Sequence, residues 1–438
     1  MKKVTFTILF LFFCVFSYTQ KSLTLDSCIA LALEHSTERK NALLKVDMAR
    51  LTKKEAFTNY FPQISANLMG FQTQFQGYLS PDLEITINDY TPSTPTSSTV
   101  SMDYSFIKKG FLTGVSAVQP IFVGGQIFYG NKLANIGLQA ERLQVSLNEN
   151  EIRKKVEEYF WLIVSLEEKL KTINTISLQL DKIYKDVEVS VTEGIINQND
   201  FLKVQLKQQE VLSGKLQIEN GIRITKHTLK QYINLKEQDF TLSYDSLALP
   251  DPPDKDYINP EEAVSQRLEI QLLDCQKKVA NYQTKMEVGK RLPTLAVGAA
   301  VIYLGMTNSQ NKAGFIYGTL SVPISDWWGG SYAIKKQKLQ AKINENNYTN
   351  TLELLTLQTE QAWNEVNEAY MQLQISQLAI KQANDYLRVS SDSYDSGVIS
   401  LSGLLDAQST LQQKQNDYLD AYIDYFQKRT AYLQLVGK

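Results

Sequence analysis

Two histidines, His35 and His227, are the only imidazoles in 438 residues. Metal binding or proton transfer through either would need carboxylate or thiolate partners at ligand spacing. Both fall at polar positions of helical stretches, and no such set accompanies them. The three cysteines are equally scattered. Cys14 lies in an apolar leader and lacks the small residues expected before a lipid-attachment cysteine. Cys28 and Cys275 each fall in a helical pattern and read as buried free thiols rather than a disulfide. No glycine-rich phosphate loop and no nucleophile elbow occurs. The expectation is therefore a protein that is not an enzyme and carries no cofactor or metal. What is left to weigh are two matching glycine turns, at Gly194 and Gly397, and the residues that flank them.

The elements that must position them are long helices. No Gly or Pro interrupts the chain between Gly330 and Gly397, and an unbroken helix of that size is roughly 100 Å long. Leu352, Thr359, Val366, Leu373, Ile380, Leu387 and Tyr394 recur every seven residues, interleaved with Leu355, Ala362, Ala369, Ser376, Ala383 and Ser390. That is a coiled-coil seam, with small residues on one row permitting close backbone approach. The same seam occurs earlier at one constant offset. Val156, Ile163, Leu170, Ser177, Tyr184 and Val191 form one row, and Ile152, Tyr159, Leu166, Ile173, Leu180 and Val187 the other. The flanks repeat as well: GVSAVQPIFVGG answers GTLSVPISDWWGG, and EGIINQNDFL answers SGVISLSGLL. The chain reads as a tandem duplication.

Residues 1–20 carry Lys2, Lys3 and a short apolar run, and read as a signal peptide. The formal net charge is −2, and loss of those lysines makes it more acidic, which argues against nucleic acid as a partner. No later run approaches eighteen apolar residues, so no membrane-spanning helix is expected.

In order, the sequence predicts an N-terminal helix over 21–61 and a β-hairpin with a long loop over 62–123. A long helix, a turn and a shorter helix follow over 124–235, then a Pro- and Asp-rich linker over 236–259, crossing outside the bundle. A helix over 260–292, a second hairpin over 293–325 and a second helical repeat over 326–438 complete the chain. Pro62, Pro120, Gly124, Gly125, Pro293, Pro323, Gly329 and Gly330 mark the strand–helix junctions. Lengths suggest that the helix before the linker and the one after it together accompany one long helix, and the last and first helices the other. Along the strands, Leu295, Val297, Ala299, Val301 and Tyr303 alternate with small or polar residues, as do Ile316, Leu320, Val322 and Ile324. That alternation suits a lipid-facing barrel wall; an ordinary hairpin on a protein core is the plainer alternative. Four strands cannot close a membrane barrel, whose smallest examples have about eight, and open edges are excluded from lipid. Several copies are then required.

The leader, the opening LTLDSCIALALEHS, the paired QPIFVGG and VPISDWWGG junctions, the paired glycine turns and the closing YLQLVG resemble the TolC-like outer membrane efflux protein family. The fold class implied is mainly α, a duplicated long-helix coiled-coil bundle with four β-strands per protomer. In a homotrimer these make a twelve-stranded outer-membrane barrel and a helical tunnel across the periplasm. The resemblance also implies docking onto a periplasmic membrane-fusion adaptor protein and an inner-membrane pump or ABC exporter, with outer-membrane lipid around the barrel. By position, Asp200 and Tyr394 match hydrogen-bonding residues of the resting gate, and Asp406 an acidic residue of the constriction ring. Ile399 stands where a gating Arg is expected and Gly403 where a second ring Asp is expected. Gly194, Ile195, Asn197, Gly397, Val398 and Ser400 match the adaptor-contact tips. Plainer readings stay open: Asp200 as a helix-start residue favoured by the dipole, Tyr394 as a seam residue, Asp406 as part of a solvated face. A periplasmic coiled-coil scaffold or adaptor is the competing function.

Overall fold

The computed structural model describes residues 21–72, 109–194, 197–235, 239–244, 247–306 and 309–438. The leader with Cys14, most of the first hairpin loop and Ile195 lie outside them. Two units emerge: one of residues 1–49, 137–277 and 344–438, the other of residues 50–136 and 278–343.

The first unit is built on the seams. Helix α1 (Leu25–His35) starts where Thr24 Oγ1 accepts the Ser27 N–H at 3.3 Å, and α2 (Thr37–Thr58) follows it. The segment expected as one helix therefore breaks at Ser36. There the Ser36 N–H reaches the Ala32 carbonyl, while the Ser36 hydroxyl donates to Glu38 Oε2 and accepts from the Arg39 N–H. A polar side chain has replaced a turn's worth of helical bonds. The long helix α3 (Gln126–Thr192) and α4 (Gln198–Tyr232) complete the first half. In the second half, α5 (Pro260–Gln266) and α6 (Leu268–Gly289) break at Arg267. Arg267 and Ser36 lie equally far ahead of Pro293 and Pro62, so the kink belongs to the duplication. Helices α7 (Asp326–Asp395) and α8 (Leu401–Leu435) end the chain.

Heptad residues are buried as the spacing requires. Ile152, Val156, Ile163, Ile173, Leu180 and Val187 face inward on α3; Thr359, Val366, Leu373, Ala369, Ser376 and Ala383 do so on α7. The helix before the linker and the one after it both meet α3, the latter through the Tyr129 and Tyr282 rings 5.8 Å apart. Helix α3 is accompanied by α4, through Lys226–Glu167 at 2.6 Å, and by α2, through Arg39–Glu149 at 2.6 Å. Helix α7 is accompanied by α6, through Lys277–Glu345 at 2.8 Å, and by α8, through the Tyr370–Tyr425 rings. Partners also come from the other half: α8 meets α3 through Lys169–Asp420 at 2.6 Å and through the stacked Trp161 and Phe426 rings.

The linker is fastened rather than free. Strand β1 (Lys21–Leu23) pairs in parallel with a later strand, Phe240–Leu242. Tyr418 and Tyr370 hydroxyls donate to the Leu247 and Pro250 carbonyls, Tyr432 accepts from the Ile258 N–H, and Arg429 pairs with Asp256 at 2.7 Å.

The second unit holds an antiparallel sheet of β2 (Gln63–Gln72), β3 (Lys109–Val123), β5 (Thr294–Met306) and β6 (Ser309–Ser321), in that spatial order, with Phe240–Leu242 counted as β4. Pro120 does not end β3. The strand passes it through a bulge between Pro120 and Phe122 and runs on to Val123, a place where a residue without N–H is tolerated. Gly124 and Gly125 then turn into α3 with φ of 61° and 75°. A Cβ on Gly124 or Gly289 would overlap the other's carbonyl oxygen, so the two backbones touch. Gly329 and Gly330 do not repeat that turn, contrary to the sequence alignment of the halves. They lie inside α7, where Gly330 makes room for the Arg291 side chain.

Candidate functional site

Two regions carry candidate function, one in each unit. In the sheet, register places Ile64, Leu68, Phe111, Val115, Val301 and Ile316 on one face. These side chains are exposed, Leu68 at 75% and Ile316 at 83%. The opposite face is mixed: Ser65, Ser116, Thr294, Ala296, Gly298 and Thr319 share it with Met69, Leu112, Ile302, Leu304, Phe315 and Tyr317, and the Ser65–Ser116 hydroxyls lie 3.0 Å apart. Among the described residues β2 and β6 each have one neighbour, so both outer edges of this sheet present unpaired N–H and C=O groups. Among the described residues no helix is long and apolar enough to cross a membrane, and no cluster of His, Cys, Asp and Glu could hold a metal.

The strand–helix junctions are rich in exposed aromatic side chains. Phe57, Tyr60 and Phe61 precede β2, Phe128 follows β3, and Trp327, Trp328 and Tyr332 follow β6. Trp327 Nε1 donates to the Arg291 carbonyl at 3.0 Å, tying the start of α7 to the end of α6.

The second region is the turn end of the helices. Gly397, at φ 72°, closes α7 in a Schellman motif: its N–H reaches Tyr394 O, and the Val398 N–H reaches Ser393 O at 2.8 Å. Gly194, at φ 74°, ends α3 with its N–H on Val191 O. Asn197 caps α4 through Oδ1 to the Asn199 N–H at 3.1 Å, whereas Ser400 begins α8 without a side-chain cap bond. Val398 projects at the tip, 76% exposed.

Asp200 bonds Lys203 Nζ at 3.1 Å, and Lys203 Nζ also donates to Ser402 Oγ at 2.9 Å. One ammonium thus ties α4 to α8. Lys203 and Ser402 were missed by sequence reasoning; the i, i+3 spacing from Asp200 was the available signal. Tyr394 is half-buried on the core formed by Leu180, Val187, Val204, Leu401 and Leu405. Burial first, then the charges of Asp186, Asp200 and Asp395, hold its phenol above the usual range. Asp406 is exposed, with the Tyr386 hydroxyl 3.5 Å away. Ile399 packs over Gly403, whose added Cβ would lie 3.3 Å from Ile399 Cδ1. The two departures from the family pattern thus fall on each other, as an apolar contact. A cleft of about 420 Å³ opens beside Tyr394 between α3, α7 and α8, lined by Lys182, Asp186, Arg388, Asp395 and Gln408.

Residues 259–438 match the model of the outer membrane efflux protein family. Among curated proteins no relative matches. Solved structures with the same fold include the outer membrane protein VceC from Vibrio cholerae, 14% identical with a TM-score of 0.72, covering 94% of this chain and 96% of that one. The CmeC outer membrane channel of Campylobacter jejuni is 16% identical with a TM-score of 0.71, covering 94% of this chain and 85% of its own. The MtrE outer membrane channel of Neisseria gonorrhoeae, in its open state, is 14% identical with a TM-score of 0.72, covering 94% and 88%. The chain has the mostly helical, few-stranded fold of these channels.

Proposed function

We propose, from the match of residues 259–438 to the outer membrane efflux protein family, that the chain is one protomer of a trimeric exit duct. Three sheets side by side give a closed barrel in the outer membrane, and the helices form a periplasmic tunnel. The observation that carries this reading is the sheet with one exposed apolar face and two unpaired edges. In lipid each unsatisfied backbone group costs several kcal/mol, so edges must meet edges, and cyclic symmetry lets β6 of one copy pair β2 of the next. The face of Ile64, Leu68, Val115, Val301 and Ile316 turns to lipid, and the mixed face that carries Ser65, Ser116 and Thr319 lines the pore. The duct is a passive conduit, with the turn end as its gate and the tips Gly194, Ile195, Asn197, Gly397, Val398 and Ser400 as the surface for a periplasmic adaptor and, beyond it, an inner-membrane pump or ABC exporter. Asp406 contributes a ring of carboxylates at the axis, which favours cations there. Closure at this gate is apolar at Ile399–Gly403 and polar through Lys203. Detergent-solubilised protein should run as a trimer on light scattering and conduct ions in planar bilayers. A water-soluble monomer without conductance refutes the proposal.

A further inference from the structure

The helical segments beside the sheet carry an excess of lysine over carboxylate. Lys54 lies four residues before the end of α2, Lys132 six after the start of α3, Lys285 four before the end of α6, and Lys335, Lys336 and Lys338 nine to twelve after the start of α7. At 1.5 Å per residue these stand about 6 to 18 Å along the helices from the strand junctions. All six are exposed, and none has a carboxylate at ion-pair distance among the described residues. Carboxylates in the same reach are few: Asp47, Glu55, Asp326 and Glu287, the last held by Lys290 at 3.0 Å and Arg291 at 2.9 Å. Aromatic rings shape the same layer. Lys132 stands over Phe128 at 5.5 Å, Lys335 over Tyr332 at 5.9 Å, and Lys285 over Tyr129 and Tyr282 at 5.7 and 5.5 Å.

We propose that these stems form a basic collar that binds the phosphates of anionic phospholipid headgroups in the leaflet the helices leave. The inference rests on the exit-duct reading, since it takes the exposed apolar sheet face as the lipid-facing surface with which the collar is continuous. Headgroups occupy the layer just outside a core about 30 Å thick, and charges act across about 8 Å at physiological salt. Lysines at the membrane-proximal ends of the stems therefore meet phosphate, while their stems and the neighbouring aromatics rest on glycerol and acyl chain. A soluble helical bundle has no need to segregate unpaired lysines next to exposed Trp, Tyr and Phe. Three copies around an axis close the collar.

The test is native mass spectrometry of the full-length detergent-solubilised trimer with phosphatidylglycerol or phosphatidylcholine added, at low and high salt. The same preparation is assayed for bilayer conductance. Retention of phosphatidylglycerol should exceed that of phosphatidylcholine by on the order of tenfold, given roughly fivefold per lysine near the surface. It should fall with salt and be lost in K132Q/K335Q/K336Q/K338Q, with circular dichroism and conductance unchanged. Equal retention of the two lipids by a conducting trimer overturns the collar and leaves the duct standing. A preference that persists in high salt and in the variant does the same. If inorganic phosphate at low millimolar concentration abolishes the preference, the site is one for free phosphate and the lipid assignment fails. A chain that neither inserts nor conducts sinks both readings.

Discussion

Ile316 and Phe315 are adjacent on β6, near the middle of a strand paired over its length with β5, and point to opposite faces. Arginine at either position separates a lipid-facing wall from a solvated hairpin. For a wall, Ile316→Arg places a guanidinium near mid-depth in hydrocarbon and costs about 2 to 4 kcal/mol in each protomer. Phe315→Arg faces the pore and costs within about 1 kcal/mol beyond the lost Phe315–Tyr317 ring contact of 5.7 Å. For a hairpin in water, the 83% exposure of Ile316 would hold the cost to within about 0.5 kcal/mol, as at any free surface site. The assay is reversible folding into phospholipid vesicles with urea, followed by tryptophan fluorescence. The expected result is a large loss of midpoint for Ile316→Arg and a small one for Phe315→Arg. Equal midpoints, or the reverse order, would refute the assignment of the faces.

Further outcomes follow at other sites. Lys203→Met should raise channel open probability by freeing α4 from Ser402 on α8, with Lys203→Arg restoring closure; the stability change stays below about 1 kcal/mol because Lys203 is partly exposed, and single-channel recording decides. Gly397→Ala forces a side chain into φ 72° and should cost about 1 kcal/mol, whereas Gly124→Ala should block assembly outright through its overlap with Gly289; thermal melts and native gels compare them. Burial pushes the Cys28 thiol up to about 11, so it should resist alkylation at pH 8 in the folded protein and react on denaturation, read by mass shift. Glu157 is buried, and desolvation raises its carboxyl above the usual range despite the Thr430 hydrogen bond of 2.6 Å. A raised acid stabilises the fold below the unfolded value and loses that contribution as pH climbs through the folded one. Urea midpoints should therefore fall from mildly acidic pH upward, and Glu157→Gln should flatten the slope.

The seams were legible because a heptad is a local pattern whose burial follows from geometry: Val366, Leu373, Ile163 and Leu180 are where the spacing put them. The strand faces were legible for the same reason at period two. Breaks at Ser36 and Arg267 were not, since neither residue stops a helix by propensity. Ser36 does so by capping, and Arg267 through bonds to Glu269 on the next helix and Gln358 on α7, contacts that exist only once the chain is folded. The GG pairs misled because identical letters serve different backbones, a left-handed turn at Gly124–Gly125 and a helix notch at Gly330. At the turn end, Ile399 and Gly403 stood out in the sequence as departures from the resembled family's pattern, while their contact with each other and the Lys203–Ser402 tie are products of packing.

The two bare sheet edges bear on genetics as well as on architecture. If a ring is completed only when every subunit offers a sound β2 margin and a sound β6 margin, one faulty copy spoils its neighbours. Co-expressing equal amounts of wild type and a variant with proline on the outer margin of β6 would leave only about one eighth of three-membered rings wholly intact. An allele of that kind behaves as a dominant poison, whereas a null allele merely halves the dose.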